Sequence, residues 1–273
     1  MLFLNTPILI KGAGDLATGV AYRLHRSGFP LLMTELPTPL MVRRAVSFGQ
    51  AVYDGETIVE GVTARRVETP QQGLAVALQG DVIPVLVDLE ARALGTLSPG
   101  VLVDGVMAKR NTGTRIDDAP LVIALGPGFT AGVDCHAAIE TNRGHWLARI
   151  IYDGSPQPDT KTPGKVKGYA QGRVVRAPAD GHLHPTAQVG DRLRQGDLIG
   201  HVSGHEVRAM FDGVLRGLIH PSVRVTKGLK IGDLDPRDVD RHCFTISEKS
   251  FAIGGAVLEA ILAWLNQQVT GSR

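Results

Sequence analysis

The chain has 273 residues, 43% of them apolar, with 29 basic and 27 acidic residues giving a formal charge of +2. That is enough for a sizeable core and for two domains, whereas interspersed charge with only 5% aromatic residues excludes the basic, aromatic-rich footprint of a nucleic-acid binder. Two cysteines, Cys135 and Cys243, are too few for a disulfide framework, and the start "MLFLNTPILIK", broken by Asn5, Thr6 and Pro7, reads as a first strand rather than a signal peptide; both features imply a cytoplasmic setting.

In chain order, "PILI" runs into "KGAGDLATG" at residues 11 to 19, followed by apolar Leu16, Val20 and Leu24 at helical spacing. Strand, glycine turn and helix make the first half of a βαβ unit. Gly12 permits a tight turn, and Gly14 lets a pyrophosphate approach the amides at the helix start. A second strand, "PLLMTEL", ends in Glu35, where a dinucleotide fold places its ribose-binding acid. Asp15 stands against this reading, because a carboxylate there caps the helix and repels a pyrophosphate. No Gly-Lys-Ser/Thr follows, which excludes a P-loop. Arg43 and Arg44 suit either a phosphate or a solvated face.

Further on, "LAVAL", "PVLVD", "VLVDG" and "PLVIALG" are short Val/Ile/Leu-rich runs that suit a parallel sheet covered on both faces. Lys109, Asn111 and Arg115 lie in a polar, glycine-containing loop suited to an anionic group. The stretch 121–151 enters a loop with Gly126 and Gly128, and Asp134-Cys135-His136 is expected to lead into a helix. A thiol at such a helix start would ionise readily and could act as a nucleophile, the alternative being an inert buried cysteine. Cys135, His136 and His145 lack zinc-site spacing, so no metal centre is expected.

After a Pro/Gly-rich linker near 152–168, residues 174–236 repeat at an offset of 32: Asp180-Gly181 matches Asp212-Gly213, and Ile199-Gly200 matches Ile231-Gly232. Two interlocking halves of short strands are expected. The stretch resembles biotinyl/lipoyl-type barrel-sandwich domains, but the hairpin "VSGHEVRAM" between the halves holds no lysine, so no covalent biotin or lipoate is expected. His201 and His205 there read as surface groups. "FAIGGAVLEAILAWL", at 251–265, reads as a buried helix rather than a membrane span.

The expected fold is thus α/β: a Rossmann-like parallel-sheet domain (1–165), a small all-β barrel-sandwich domain (166–240) and a C-terminal helical segment (241–273). Taken together, "KGAGDLATGVAYRLHRSGF", "VRRAVSFGQAVYDGE", "LGPGFTAGVDCHAAIETNRGH", "FDGVLRG" and "KIGDLDPR" resemble the YqeB family of accessory proteins in selenium-dependent molybdenum hydroxylase systems. The resemblance implies a maturation factor akin to XdhC-type proteins, with a molybdenum hydroxylase or its maturation machinery as partner. Read with the residues, it gives a nucleotide-bearing ligand, NAD(P) or the molybdenum cofactor dinucleotide, expected on Gly12, Gly14, Asp15, Glu35, Arg43, Lys109, Asn111, Gly126, Gly128, Asp134 and His136, with its pyrophosphate on Gly12 to Gly14 and Cys135 handling sulfur or selenium. An NAD(P)-dependent oxidoreductase and a noncatalytic scaffold stay open beside it, as does homo-oligomer formation.

Overall fold

The computed structural model describes residues 1–89, 91–160, 166–169 and 172–271. The first body is a nine-stranded sheet. In chain order its elements are β1 (Ile8–Lys11), α1 (Asp15–Arg26), β2 (Leu31–Glu35), α2 (Ala51–Asp54), β3 (Glu56–Val59), β4 (Val62–Val67), α3 (Pro70–Gln79), β5 (Val82–Val87), α4 (Ala93–Leu97), β6 (Val101–Asp104), β7 (Leu121–Leu125), β8 (Ala137–Ile139) and β9 (Ile150–Ile151). The strand order is β3-β4-β5-β2-β1-β6-β7-β8-β9. From β4 to β8 neighbours are parallel, while β3 and β9 add antiparallel edges.

Alternation along β1 explains the layers. Ile8 and Ile10 join a core formed with α1 and the C-terminal helix α5 (Glu248–Gly271), whereas Leu9 joins a second core packed against α3 and α4. α5 crosses α1 at glycine: a Cβ on Gly19 would fall 2.7 Å from Ser250, and one on Gly254 2.6 Å from the Gly19 carbonyl oxygen. α5 is the one helix among the described residues long and apolar enough to cross a membrane. Its inner face is buried on α1, and residues 266–270 are exposed.

The second body comprises β10 (Val174–Arg176), β11 (Gly181–Pro185), β12 (Arg192–Leu193), β13 (Leu198–Val202), β14 (His205–Arg208), β15 (Gly213–Leu218), β16 (Arg224–Val225) and β17 (Lys230–Asp235). They form two antiparallel sheets, β10-β17-β15-β12 and β14-β13-β11-β16, over one core that includes Leu183, Ile199, Leu215 and Ile231. The 32-residue offset maps β11 onto β15 and β13 onto β17, which lie in opposite sheets. The bodies are tied together: Arg44 Nε donates to the Leu218 carbonyl at 2.7 Å, and the Tyr53 ring stacks on His220 with centroids 3.8 Å apart.

This architecture corrects the expected Rossmann-like parallel sheet with a biotinyl/lipoyl-like barrel. The main sheet is mixed, and the all-β part is a pair of four-stranded antiparallel sheets. The antiparallel edge β3–β4 turns at Glu60 and Gly61, both at positive φ, a hairpin signal hidden inside "VEGV". "LAVAL" is helical in α3, because Thr69 caps the helix by accepting from the Gln72 amide, Pro70 starts it and left-handed Gly80 ends it. The helix expected after Cys135 is instead β8, three residues whose extended state comes from pairing with β7 and β9.

Candidate functional site: the start of α5 and the carboxyl edge of the sheet

The chain leaves β1 for β2 on one side, and β6 lies on the other, so a crevice opens beyond the carboxyl ends of these strands. Four segments meet there: the glycine turn 12–15, the loop 105–115, the loop 126–134 and the start of α5. Gly12, at φ +86, sits against the Gly105 backbone, which a Cβ would meet at 3.2 Å. The Ala13 amide donates to Glu35 Oε1 at 3.1 Å, and the Leu36 amide to Glu35 Oε2 at 2.6 Å. Burial pushes the Glu35 pKa up. Asp15 takes a hydrogen bond from Arg43 Nη1 at 2.9 Å and one from Ser250 Oγ at 2.9 Å. Arg43 also donates to the carbonyls of His242 and Thr245. Gly12, Glu35, Asp15 and Arg43 are therefore brought together but spend their groups on one another and on the approach to α5. Gly14 keeps open space above it, with only Met41 at 3.8 Å.

The loop residues behave similarly. Asn111 Oδ1 accepts from the amides of Gly113 and Thr114, and its Nδ2 donates to the Thr114 carbonyl and to Asp134. Asp134 Oδ2 accepts from the Thr130 amide. Gly128 admits the Arg110 backbone and Gly126 the Thr141 side chain, while His136 Nδ1 accepts from the Val122 amide at 3.0 Å. These residues shape the loops. Lys109, at φ +63, is exposed and makes no hydrogen bond or ion pair among the described residues.

Cys135 departs from the expectation of an exposed thiolate at a helix start. It is 0% exposed and precedes a strand; burial, then Asp134 and Asp104, push its pKa up to about 12. Such a thiol cannot serve as a ready nucleophile. Neither Cys135 nor Cys243, which is also buried, should react with iodoacetamide in the folded protein at neutral pH, and both should react in denaturant. Mass spectrometry after timed labelling checks this; native labelling of Cys135 would place it at the surface.

The sequence reading missed the start of α5. A cleft of about 200 Å³ is lined by Arg216, Arg237, His242, Thr245, Ile246, Ser247 and Glu248. Arg216, almost fully buried, donates from Nε to the His242 carbonyl and lies 3.7 Å from both Asp233 and Asp235. Arg237 forks onto Asp235. Burial would raise the Asp235 pKa, but the Arg237 hydrogen bonds outweigh it and hold it at about 2. Burial, then Arg237, lower the His242 pKa, which leaves a neutral imidazole at neutral pH.

Glu248 bonds Arg143, and the next residue is Lys249. Burial, then the charges of Lys109 and Arg143, lower its pKa to about 8; Asp15 and Glu140 oppose the shift. Those two carboxylates are engaged elsewhere, Glu140 by the amides of Asn142 and Gln157. Lys249 makes no hydrogen bond or ion pair among the described residues. The sequence held one signal for it: a lysine in the first turn of an apolar helix lies at the unfavourable end of the dipole. Among the described residues no group of three His, Cys, Asp or Glu side chains is arranged to hold a metal ion.

Over 266 residues, 97% of the chain, the sequence is 46% identical to the uncharacterized protein YqeB of Escherichia coli (strain K12). The comparison supports membership of the YqeB family. The chain spans about half the length of that relative, 49%. No family model matches. Among solved structures, a succinylglutamate desuccinylase/aspartoacylase from Rhodobacter sphaeroides is 16% identical with a TM-score of 0.26, and a succinylglutamate desuccinylase from Silicibacter sp. TM1040 is 13% identical with a TM-score of 0.27. Each match covers 84% of this chain and 84% of the other. At such scores neither carries an argument about this chain's chemistry. The expected role as a molybdenum hydroxylase maturation factor is corrected on two findings: the relative is described only as an uncharacterized protein, and the thiol meant to handle sulfur or selenium is buried.

Proposed function

We propose that the chain binds a small anionic metabolite at the start of α5, with Lys249 and Lys109 as its principal charged contacts and Arg143 beside them. One observation carries this reading. Lys249 is a half-buried cation with no counter-ion or hydrogen bond among the described residues, at the positive end of a 24-residue helix, where the charges of Lys109 and Arg143 also act on it. An ammonium so placed costs stability unless an anion joins it. The adjoining arginine-walled cleft provides room for the rest of the ligand.

Calorimetric titration with phosphate, pyrophosphate and small dicarboxylates tests the reading. Binding is expected to raise Tm, and Lys249→Met should weaken it by roughly 10- to 100-fold, the value of one charge-assisted hydrogen bond of about 1.5–3 kcal/mol. Without ligand the same substitution should stabilise. The folded pKa of Lys249 lies below its usual 10.5, so between about pH 8 and 10.5 the unfolded chain binds the extra proton and stability rises with pH. The gain from Lys249→Met should therefore be full below pH 8 and fade above it. Equal anion affinity in the parent and Lys249→Met proteins would sink the proposal.

A further inference from the structure

Where the reading above leaves the arginine-walled cleft as room, we infer that the cleft is a binding site in its own right: it takes an oxyanion, the phosphate or carboxylate group of a small molecule, held by the guanidinium of Arg216. The inference goes beyond the Lys249 reading and does not depend on it. Arg216 stands on β15 and is only 6% exposed, and the part left uncovered lies on the cleft wall.

A guanidinium carries five N–H donors. Arg216 uses one of them, from Nε to the His242 carbonyl at 3.2 Å, and makes no other hydrogen bond among the described residues. Its carboxylate neighbours stand off: Asp233 is 3.7 Å from Nη1 and Asp235 is 3.7 Å from Nε, beyond hydrogen-bond reach. Both are engaged from other sides, Asp235 by the Arg237 fork and Asp233 by Arg173 at 3.9 Å and Lys230 at 4.0 Å. Two carboxylates therefore face four cations, Arg173, Arg216, Lys230 and Arg237. Buried donors in native proteins are nearly always paired, and an unmet guanidinium fork is shaped for two oxygens of a carboxylate or phosphate.

The rest of the wall suits the same group. His242 Nδ1, sealed from solvent, is a second polar atom there with no hydrogen-bond partner among the described residues. Ser247 caps α5 by accepting from the Ser250 amide, so the positive end of a 24-residue helix adjoins the cleft. Glu248 is the one acid among the lining residues, and it is bonded to Arg143. The volume of about 200 Å³ leaves space beyond the oxyanion for a small organic body.

The test is calorimetric titration of the full chain with inorganic phosphate and, separately, with acetate, in Lys249→Met protein so that Lys249 cannot contribute. One anion per chain is expected to bind and to raise Tm; the anion with the larger effect names the group. Adding Arg216→Lys keeps a cation beside Asp233 and Asp235 but loses the fork, and should weaken binding about tenfold or more. Thr245→Phe fills the cleft while giving up only the hydroxyl bond to the Arg241 carbonyl in its own turn, and should remove binding. Anion binding that survives both substitutions is adventitious and overturns the inference. So does a Lys249→Met protein that binds neither anion, although binding intact in the parent would then spare the Lys249 reading. Equal affinity in the parent and Lys249→Met proteins, lost on Arg216→Lys, sinks the Lys249 reading and leaves the cleft site standing.

Discussion

Gly254→Ala should destabilise the protein by about 3 kcal/mol or more, while Gly255→Ala, one residue on in the same helix, should be neutral or stabilising by up to about 1 kcal/mol. The added methyl at 254 would lie 2.6 Å from the Gly19 carbonyl oxygen and 3.0 Å from its carbon. Both are backbone atoms of α1, so no side chain can turn aside. At 255 the nearest atom is Arg23 Nε at 4.0 Å, and the substitution merely swaps a poor helix former for the best one. Relief of the clash must lift α5 from α1, exposing part of the face formed by Ile253, Val257 and Ile261; each such side chain is worth about 1.5–3 kcal/mol when buried. The same movement strains the Ser250–Asp15–Arg43 link, so anion affinity should fall together with stability. Urea unfolding of the two variants decides the matter. Equal stability would mean that α5 does not depend on close contact at Gly254.

How much of this was visible beforehand depends on which forces set each element. The strands β1, β2, β6 and β7 are Val/Ile/Leu runs flanked by Gly or Pro, and their apolar character on both faces matches burial between two helical layers. The pairing of the all-β halves was foreshadowed by the 32-residue repeat. Where local signals compete with apolar content the reading slipped, as at "LAVAL", whose helix rests on the cap at Thr69 and the stop at Gly80. β8 is three residues long, too short to carry any periodicity, so its strand state exists only through β7 and β9. That error placed Cys135 on a helix and inverted its chemistry. The glycine turn was located correctly in the chain, but its surroundings were not readable: the closure of Glu35 onto Ala13 and Leu36 is a property of the folded loop. Lys249 is the opposite case. Apart from its place in the first turn of an apolar helix, nothing near "SEKSF" marks it, because the charges acting on it come from Lys109, Arg143, Asp15 and Glu140, distant in sequence.

The second large effect is expected at the buried end of the same crevice, where Asp104→Ala should cost about 3–5 kcal/mol. Asp104 is 1% exposed; its Oδ2 accepts from Thr114 Oγ1 at 2.6 Å and lies 3.5 Å from Lys11 Nζ, and its Oδ1 accepts from the Val106 amide at 3.1 Å. Removing the carboxylate leaves Lys11 as a poorly hydrated charge and the Val106 amide without its acceptor. Most of the loss should come from the stranded ammonium rather than from the pair's own strength, since a buried ion pair gains little over well-packed apolar groups. The double variant Lys11→Met/Asp104→Leu separates these contributions: it discards both charges, so it should recover all but about 1–3 kcal/mol, the part owed to the Val106 amide and any repacking. A double-mutant cycle by urea unfolding gives the coupling directly. A cost below about 1 kcal/mol for Asp104→Ala, or a double variant as unstable as the sum of the singles, would show that water reaches Lys11 and that the pair does not hold the crevice in shape.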